Sequence, residues 1–104
     1  MRWLLAAVIL LAAVEAGLAQ DAGDPEAGYA YAAQNCTECH AIEPGDYESP
    51  LYEAPGFEEI ANVPGMSEIA LLSFFQTSHP SMPNLIVAPS DIRDLITYIR
   101  SLKD

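Results

Sequence analysis

Cys36-Thr37-Glu38-Cys39-His40, about a third of the way along the 104-residue chain, contains both of its cysteines and one of its two histidines. Two cysteines separated by two residues and followed directly by a histidine form the attachment sequence of c-type haem. Thiols one turn apart can reach the two vinyl groups at one edge of a porphyrin and form thioether bonds. The adjacent imidazole then ligates the iron at little cost in conformational entropy. The pattern predicts one covalent haem c, with its iron, bound by Cys36, Cys39 and His40.

Three other interpretations of the cysteine pair are weaker. In an oxidising compartment the pair could form a disulfide, but so short a loop constrains the unfolded chain very little. A thioredoxin-like redox motif belongs beside a βαβ pattern, and the sequence shows no strand pattern. A zinc site needs a fourth ligand, for which only His79 is available.

The beginning of the chain has the layout of a secretory signal peptide. Arg2 precedes an uninterrupted apolar run over 3–14, and small residues follow up to Ala19. The run is shorter than the roughly 20 apolar residues of a membrane span, and Glu15 also opposes the alternative of an uncleaved anchor. We expect cleavage after Ala19 and a periplasmic protein. The expected organisation is a signal peptide over 1–19 and a single domain over 20–104.

The domain is strongly acidic. The whole chain has 15 acidic and 4 basic residues, a net charge of −11. Cleavage of the signal segment would remove one acidic and one basic residue, so the net charge would stay the same. Such a charge excludes attraction to nucleic acid or anionic lipid. The remaining cations all lie in the last dozen residues: Arg93, Arg100 and Lys103. We expect a monomer whose redox partners have a basic docking face. The alternative is an acidic surface that serves only solubility.

Helix signals dominate the mature chain, and the predicted fold class is all-α. Asp24 as N-cap and Pro25 at the first position predict a helix over 25–35 that leads into the cysteine motif. Ser67 is the predicted cap of a second, mostly buried helix over 68–77. In the last helix, opened by Ser90 and Asp91, apolar residues recur at helical spacing: Ile92, Leu95, Ile96, Ile99 and Leu102.

Between the first two helices, residues 41–65 contain four prolines and three glycines. This composition predicts a long loop, interrupted by one short helical turn over 57–62. Compact domains seldom contain so long a connection unless it is functional, and we expect it to wrap the cofactor. After the second helix, Pro80 and Pro83 hold Met82 on a stiff, extended segment.

The chain resembles the class I c-type cytochromes, small bacterial monohaem proteins. The resemblance covers the whole mature chain, through the helix containing Gly28, the attachment motif, the 78–84 segment and the 94–99 segment. It implies a cytochrome c-like globule of three main helices plus long loops wrapped around one covalent haem, with one haem edge exposed. It also implies His/Met iron ligation, by His40 and Met82. Met66 and His79 remain alternatives for the second ligand.

The resemblance assigns structural roles as well. Gly28 is expected where the first and last helices cross, packed against Leu95 and Tyr98 and joined by Tyr31. A proline carbonyl is expected to accept the second ring N–H of His40. Pro50 is the best match and Pro44 the alternative.

The sequence departs from the family in two respects. Many relatives bind a haem propionate through a tryptophan, but the one tryptophan here, Trp3, lies in the signal segment. Tyr47 and Tyr52 are possible substitutes. The respiratory relatives also carry lysines around the haem edge, whereas this chain has acids: Glu38, Glu43, Glu48, Glu53, Glu58 and Glu59.

These features predict periplasmic electron transfer through a haem that transforms no substrate, so the chain is expected not to be an enzyme. With both axial positions occupied, the iron has no site for oxygen or peroxide. One alternative is a haem c subunit of a periplasmic oxidoreductase complex. Another is a ligand-sensing haem protein in which Met82 dissociates.

Overall fold

A computed structural model describes residues 23–77, residue 82 and residues 87–104. The predicted signal peptide and its cleavage site lie outside these residues. Within them the chain forms four helices joined by loops, and no strand. The prediction of an all-α fold is confirmed. None of these helices has the length and hydrophobicity needed to cross a bilayer.

The first helix, α1, spans Pro25–Asn35, as predicted. The Asp24 carboxylate caps it by accepting the Glu26 backbone N–H at 2.9 Å. Proline at the first position needs no hydrogen-bond donor and presets a helical φ angle. The helix ends at Cys36, so the cysteine motif begins where α1 stops.

The next two helices along the chain are short, and the first of them lies within the long loop. α2 spans Phe57–Ala61 and confirms the predicted helical turn. α3 spans Glu68–Phe75, and the Ser67 hydroxyl caps it by accepting the Ala70 N–H at 3.1 Å. It ends two residues earlier than predicted, with Gln76 as the C-cap.

The last helix, α4, spans Pro89–Ser101. It begins one residue before the predicted Ser90, because Pro89 occupies the first helical position and Ala88 is the N-cap without a side-chain hydrogen bond. The predicted apolar face is confirmed, with Ile92 half-buried and the other members buried: Leu95, Ile96, Ile99 and Leu102.

The crossing of α1 and α4 needs glycine at position 28. A Cβ atom there would lie 2.0 Å from the Asp94 carbonyl oxygen and 2.8 Å from the Tyr98 Cβ. The Asp24 N–H also donates to the Asp94 carboxylate across the helix pair at 2.9 Å. The predicted contact of Gly28 with the last helix is confirmed, and Tyr31 packs against the same core.

The prediction that α3 is mostly buried is wrong. Leu71 is its one buried side chain, while Ile69 is 79% and Leu72 37% exposed. Among the described helices α3 packs against α4 alone, which covers only one side of it. A second side, with Ala70 and Phe74, faces the cavity described below.

Candidate functional site

A cavity of about 460 Å³ lies between the long loop and the three C-terminal helices. Cys36, Cys39, His40 and Met82 all line its wall. The structure therefore brings together the four residues that the sequence analysis selected, although Met82 is more than forty positions from the cysteine motif.

The end of α1 sets the positions of the two cysteines. Cys36 is the C-cap, and its N–H donates to the Ala32 carbonyl at 2.8 Å. The next turn continues as the N–H groups of Cys39 and His40 both donate to the Cys36 carbonyl, at 3.3 and 2.9 Å. Both cysteines are free thiols. One tight turn thus places two sulfur atoms and an imidazole on the same wall.

The Cys36 thiol is a poor nucleophile in the folded chain. Burial, followed by the charge of the neighbouring Cys39, raises the pKa of Cys36 to about 11. The thiolate is the reactive form of cysteine, and it is scarce at neutral pH when the pKa is that high.

The His40 ring is oriented by Pro55. The ring Nδ1 lies 2.7 Å from the Pro55 carbonyl oxygen, and since a carbonyl only accepts, Nδ1 carries the proton. This leaves the Nε2 lone pair free to bind a metal. The assignment of Pro50, with Pro44 as the alternative, is wrong.

Backbone hydrogen bonds explain why Pro55 reaches His40. The Phe57 N–H donates to the Ala41 carbonyl at 2.8 Å, and the Leu51 N–H donates to the Cys39 carbonyl at 3.2 Å. These two contacts, one before and one after Pro55, hold this part of the loop beside the end of the cysteine motif. The Phe57 ring then packs against the His40 ring, with centroids 5.4 Å apart.

A second set of contacts holds the loop to the α1 and α4 helices. The buried Tyr98 hydroxyl donates to the Ile42 carbonyl at 2.6 Å, and the Tyr29 hydroxyl donates to the Glu43 carboxylate. The two tyrosine rings meet edge to face at 5.3 Å. Sequence analysis did not identify the Tyr98 and Glu43 contacts, which depend on chain segments far apart in sequence.

Two described methionine side chains line the cavity. Met82 is half-buried and lines it, and Met66 lines it as well. The third candidate for the second ligand, His79, lies outside the described residues. Most of the other described residues of the wall are apolar: Leu51, Ala54, Pro55, Phe57, Ile60, Val63, Ala70, Leu71, Phe74, Phe75, Leu95 and Ile99.

The structure does not bring Tyr47 or Tyr52 to the cavity. Tyr52 is 99% exposed, and Tyr47 is 62% exposed. A hydrogen bond to Glu58, together with the charge of that carboxylate, raises the pKa of Tyr47. Two carboxylates line the cavity instead, those of Glu53 and Glu59.

The donor set and the cavity fit a covalent haem. Two thiols on one turn can form the two thioether bonds of a c-type haem, and an imidazole with a free Nε2 can ligate its iron. No family model and no solved structure matches the chain. Cytochrome c-552 of Bradyrhizobium diazoefficiens is 31% identical over 86 residues, which cover 83% of this chain and 79% of that protein.

The chain is a c-type cytochrome. A c-type cytochrome carries covalently bound haem with iron, and its role is electron transfer. An electron carrier is not itself an enzyme. In this cytochrome the turn after α1 carries the attachment motif, and the loop that ends at Pro55 closes over His40.

Proposed function

We propose that this cytochrome is a periplasmic, monohaem electron carrier of class I. Cys36 and Cys39 would hold the haem by thioether bonds, and His40 and Met82 would be its axial ligands. The observation that carries the proposal is that these four residues line one cavity. When bound, the haem iron supplies a one-electron Fe(III)/Fe(II) couple.

The residues around the iron position would set the reduction potential of that couple. The Pro55 carbonyl accepts the Nδ1 proton of His40 and so fixes the ring and makes its Nε2 a stronger donor. The Met82 sulfur is neutral and soft and favours Fe(II). The mostly apolar described wall would lower the local dielectric around the haem and favour the oxidation state of lower charge.

We assign the second ligand to Met82 and not to Met66. Met66 comes from a tight turn, where its N–H donates to the Val63 carbonyl at 3.0 Å, and it packs against the core cluster. It already has a packing role. Met82 is not among the residues of that cluster, and it belongs to a segment with prolines at 80 and 83.

The charge distribution supports a basic partner and a soluble, monomeric carrier. The net charge is −11, and two of the described residues that line the cavity are acidic, Glu53 and Glu59. Among the described residues, the cations are confined to the last helix and the tail, where Arg100 pairs with Glu68 at 3.8 Å. Charges of one sign steer an oppositely charged partner over about 8 Å at physiological salt.

Electron exchange with charged redox proteins tests the function. The reduced holoprotein should pass one electron per chain to a small basic cytochrome at least tenfold faster than to an acidic one of similar potential. The preference should disappear at high salt, because screening removes steering. Equal rates at low salt would contradict a basic partner, and copurification in a salt-resistant stoichiometric complex would favour the alternative of an oxidoreductase subunit.

A further inference from the structure

One buried side chain of the last helix holds the loop that orients His40. Tyr98 lies on α4, and its hydroxyl donates to the Ile42 carbonyl at 2.6 Å, across 56 positions of the sequence. Both residues are buried. Breaking this bond would leave a carbonyl oxygen without a partner away from water, which is unfavourable. The bond therefore fixes the C-terminal helix against the segment that follows His40.

The neighbouring carbonyl, that of Ala41, connects this contact to Pro55. It accepts the Phe57 N–H at 2.8 Å, and the carbonyl one residue further along the chain is the one that Tyr98 holds. Ala41 directly follows His40 in the sequence, and Phe57 comes two residues after Pro55. The bond between Ala41 and Phe57 therefore holds the imidazole close to the carbonyl that accepts its proton.

Three rings form a second connection from α4 to the imidazole. The buried Phe57 ring has its centroid 6.4 Å from that of Tyr98 and 5.4 Å from that of His40. Both separations lie in the range of interacting aromatic rings, roughly 4.5–7 Å. Because protein interiors are close-packed, a shift of the Tyr98 ring would displace the Phe57 ring and, with it, the imidazole.

We propose that Tyr98 is a positioning residue for His40 and that it thereby contributes to the reduction potential of the haem. The inference rests on the proposed function, in which His40 is an axial ligand. Tyr98 is not among the described residues that line the cavity. It acts through the Ile42 carbonyl and the Phe57 ring, which together hold the imidazole against its proline carbonyl. The C-terminal helix thus has a role in the redox site besides its packing against α1.

The direction of the effect follows from the hydrogen bond at the Nδ1 of His40. The carbonyl that accepts this proton makes Nε2 a stronger donor, and a stronger donor favours Fe(III), the more highly charged state. Loosening the loop weakens the hydrogen bond and so raises the reduction potential. Tyr98→Phe removes only the hydroxyl and keeps the ring beside Phe57, so it changes the loop contact without opening a space in the core.

The test compares Tyr98→Phe with the wild-type holoprotein by two measurements. In a redox titration the equilibrium constant for reduction should rise about threefold, equivalent to about 28 mV at 59 mV per tenfold change for a one-electron couple. NMR of the reduced protein follows exchange of the His40 Nδ1 proton with solvent, which should become about fivefold faster because the loop opens more easily. If Tyr98 only packs, the variant should lower the urea midpoint and leave both quantities unchanged, and that result overturns the inference.

Tyr29→Phe is the matched control. It removes the other phenol hydroxyl that joins the helix pair to the loop, but that hydroxyl donates to the exposed Glu43 side chain instead of a buried carbonyl. The potential and the proton exchange should stay at their wild-type values. Changes as large as those in Tyr98→Phe would show a general loosening of the loop and overturn the inference.

Phe57→Leu is a second variant that leaves the Tyr98 hydroxyl in place. It should also raise the potential and speed the exchange of the His40 proton. If Tyr98→Phe does not retain haem, wild-type values in Phe57→Leu overturn the inference. A wild-type holoprotein whose iron is not bound by His40 would instead remove the proposed function, and the inference with it.

Discussion

Replacing Cys36 and Cys39 together with serine is expected to give a chain that carries no covalent haem and does not fold cooperatively. The mature chain has 85 residues after removal of the predicted 19-residue signal, a size at which a core alone is a marginal source of stability. The main side chains of the core surround a cavity of about 460 Å³. At about 24 cal/mol per Å³, a cavity of that size costs up to about 11 kcal/mol, an upper figure because it opens to water. That cost matches the whole net stability of a typical domain, roughly 5–15 kcal/mol.

The measurement is urea denaturation followed by far-UV circular dichroism, with absorbance of the denatured protein to detect covalent haem. E38Q is the matched control, because it changes the same pentapeptide and leaves both thiols and His40 in place. It should retain haem and a wild-type transition. A double serine variant that unfolds with the midpoint and slope of the wild-type holoprotein would show that the haem does not hold the fold.

Replacing Met82 with alanine is expected to lower the reduction potential and open the iron to external ligands. Loss of the soft sulfur removes the preference for Fe(II). We expect a decrease on the order of 100 mV, a fraction of the roughly 0.8 V over which axial ligands set haem potentials. The reduced variant should also bind carbon monoxide at neutral pH, whereas the wild type should not. Redox titration and absorbance spectra in carbon monoxide measure both effects.

Met66→Ala is the control, because both methionines line the same cavity and both substitutions remove one thioether. It should destabilise the protein by about 1–2 kcal/mol, at or below the low end for methionine truncation because Met66 is only partly buried, with little change in potential or carbon monoxide binding. If Met66→Ala instead opens the iron and Met82→Ala does not, the axial ligand is Met66. Carbon monoxide binding by the wild type would favour the sensing alternative.

Local signals predicted the helices well. Asp24 and Pro25 placed the start of α1, and Ser67 placed the cap of α3, because both depend on hydrogen bonds within a few residues. The spacing of apolar residues predicted the buried face of α4. Serine is a common helix cap, so the sequence predicts a start of α4 at Ser90, but Pro89 presets the φ angle and begins the helix one residue earlier.

Features that depend on long-range contacts could not be read from the sequence. Pro55 replaces the predicted Pro50 because hydrogen bonds from Leu51 and Phe57 determine which carbonyl faces His40. The one available signal was the Pro55-Gly56 pair directly before a helical turn. The exposure of Ile69 was missed for a related reason, since hydrophobicity alone does not say how many sides of a helix are covered.

The attachment motif was the most informative feature of the sequence, because its residues are consecutive. The cavity around it is lined by segments that are far apart in sequence, so the sequence alone does not predict it. Met82 lines the cavity although it is far from the motif in sequence. Glu53 and Glu59 are two of several acidic residues in the loop, and only the structure shows that they line the cavity.

Peptide mass spectrometry of the native mature protein tests the central claim, which is covalent haem attachment at the turn after α1. The fragment containing residues 36–40 should carry one haem through two thioether bonds, on a chain that begins at Gln20. A haem-free fragment with a disulfide between Cys36 and Cys39 would contradict the account.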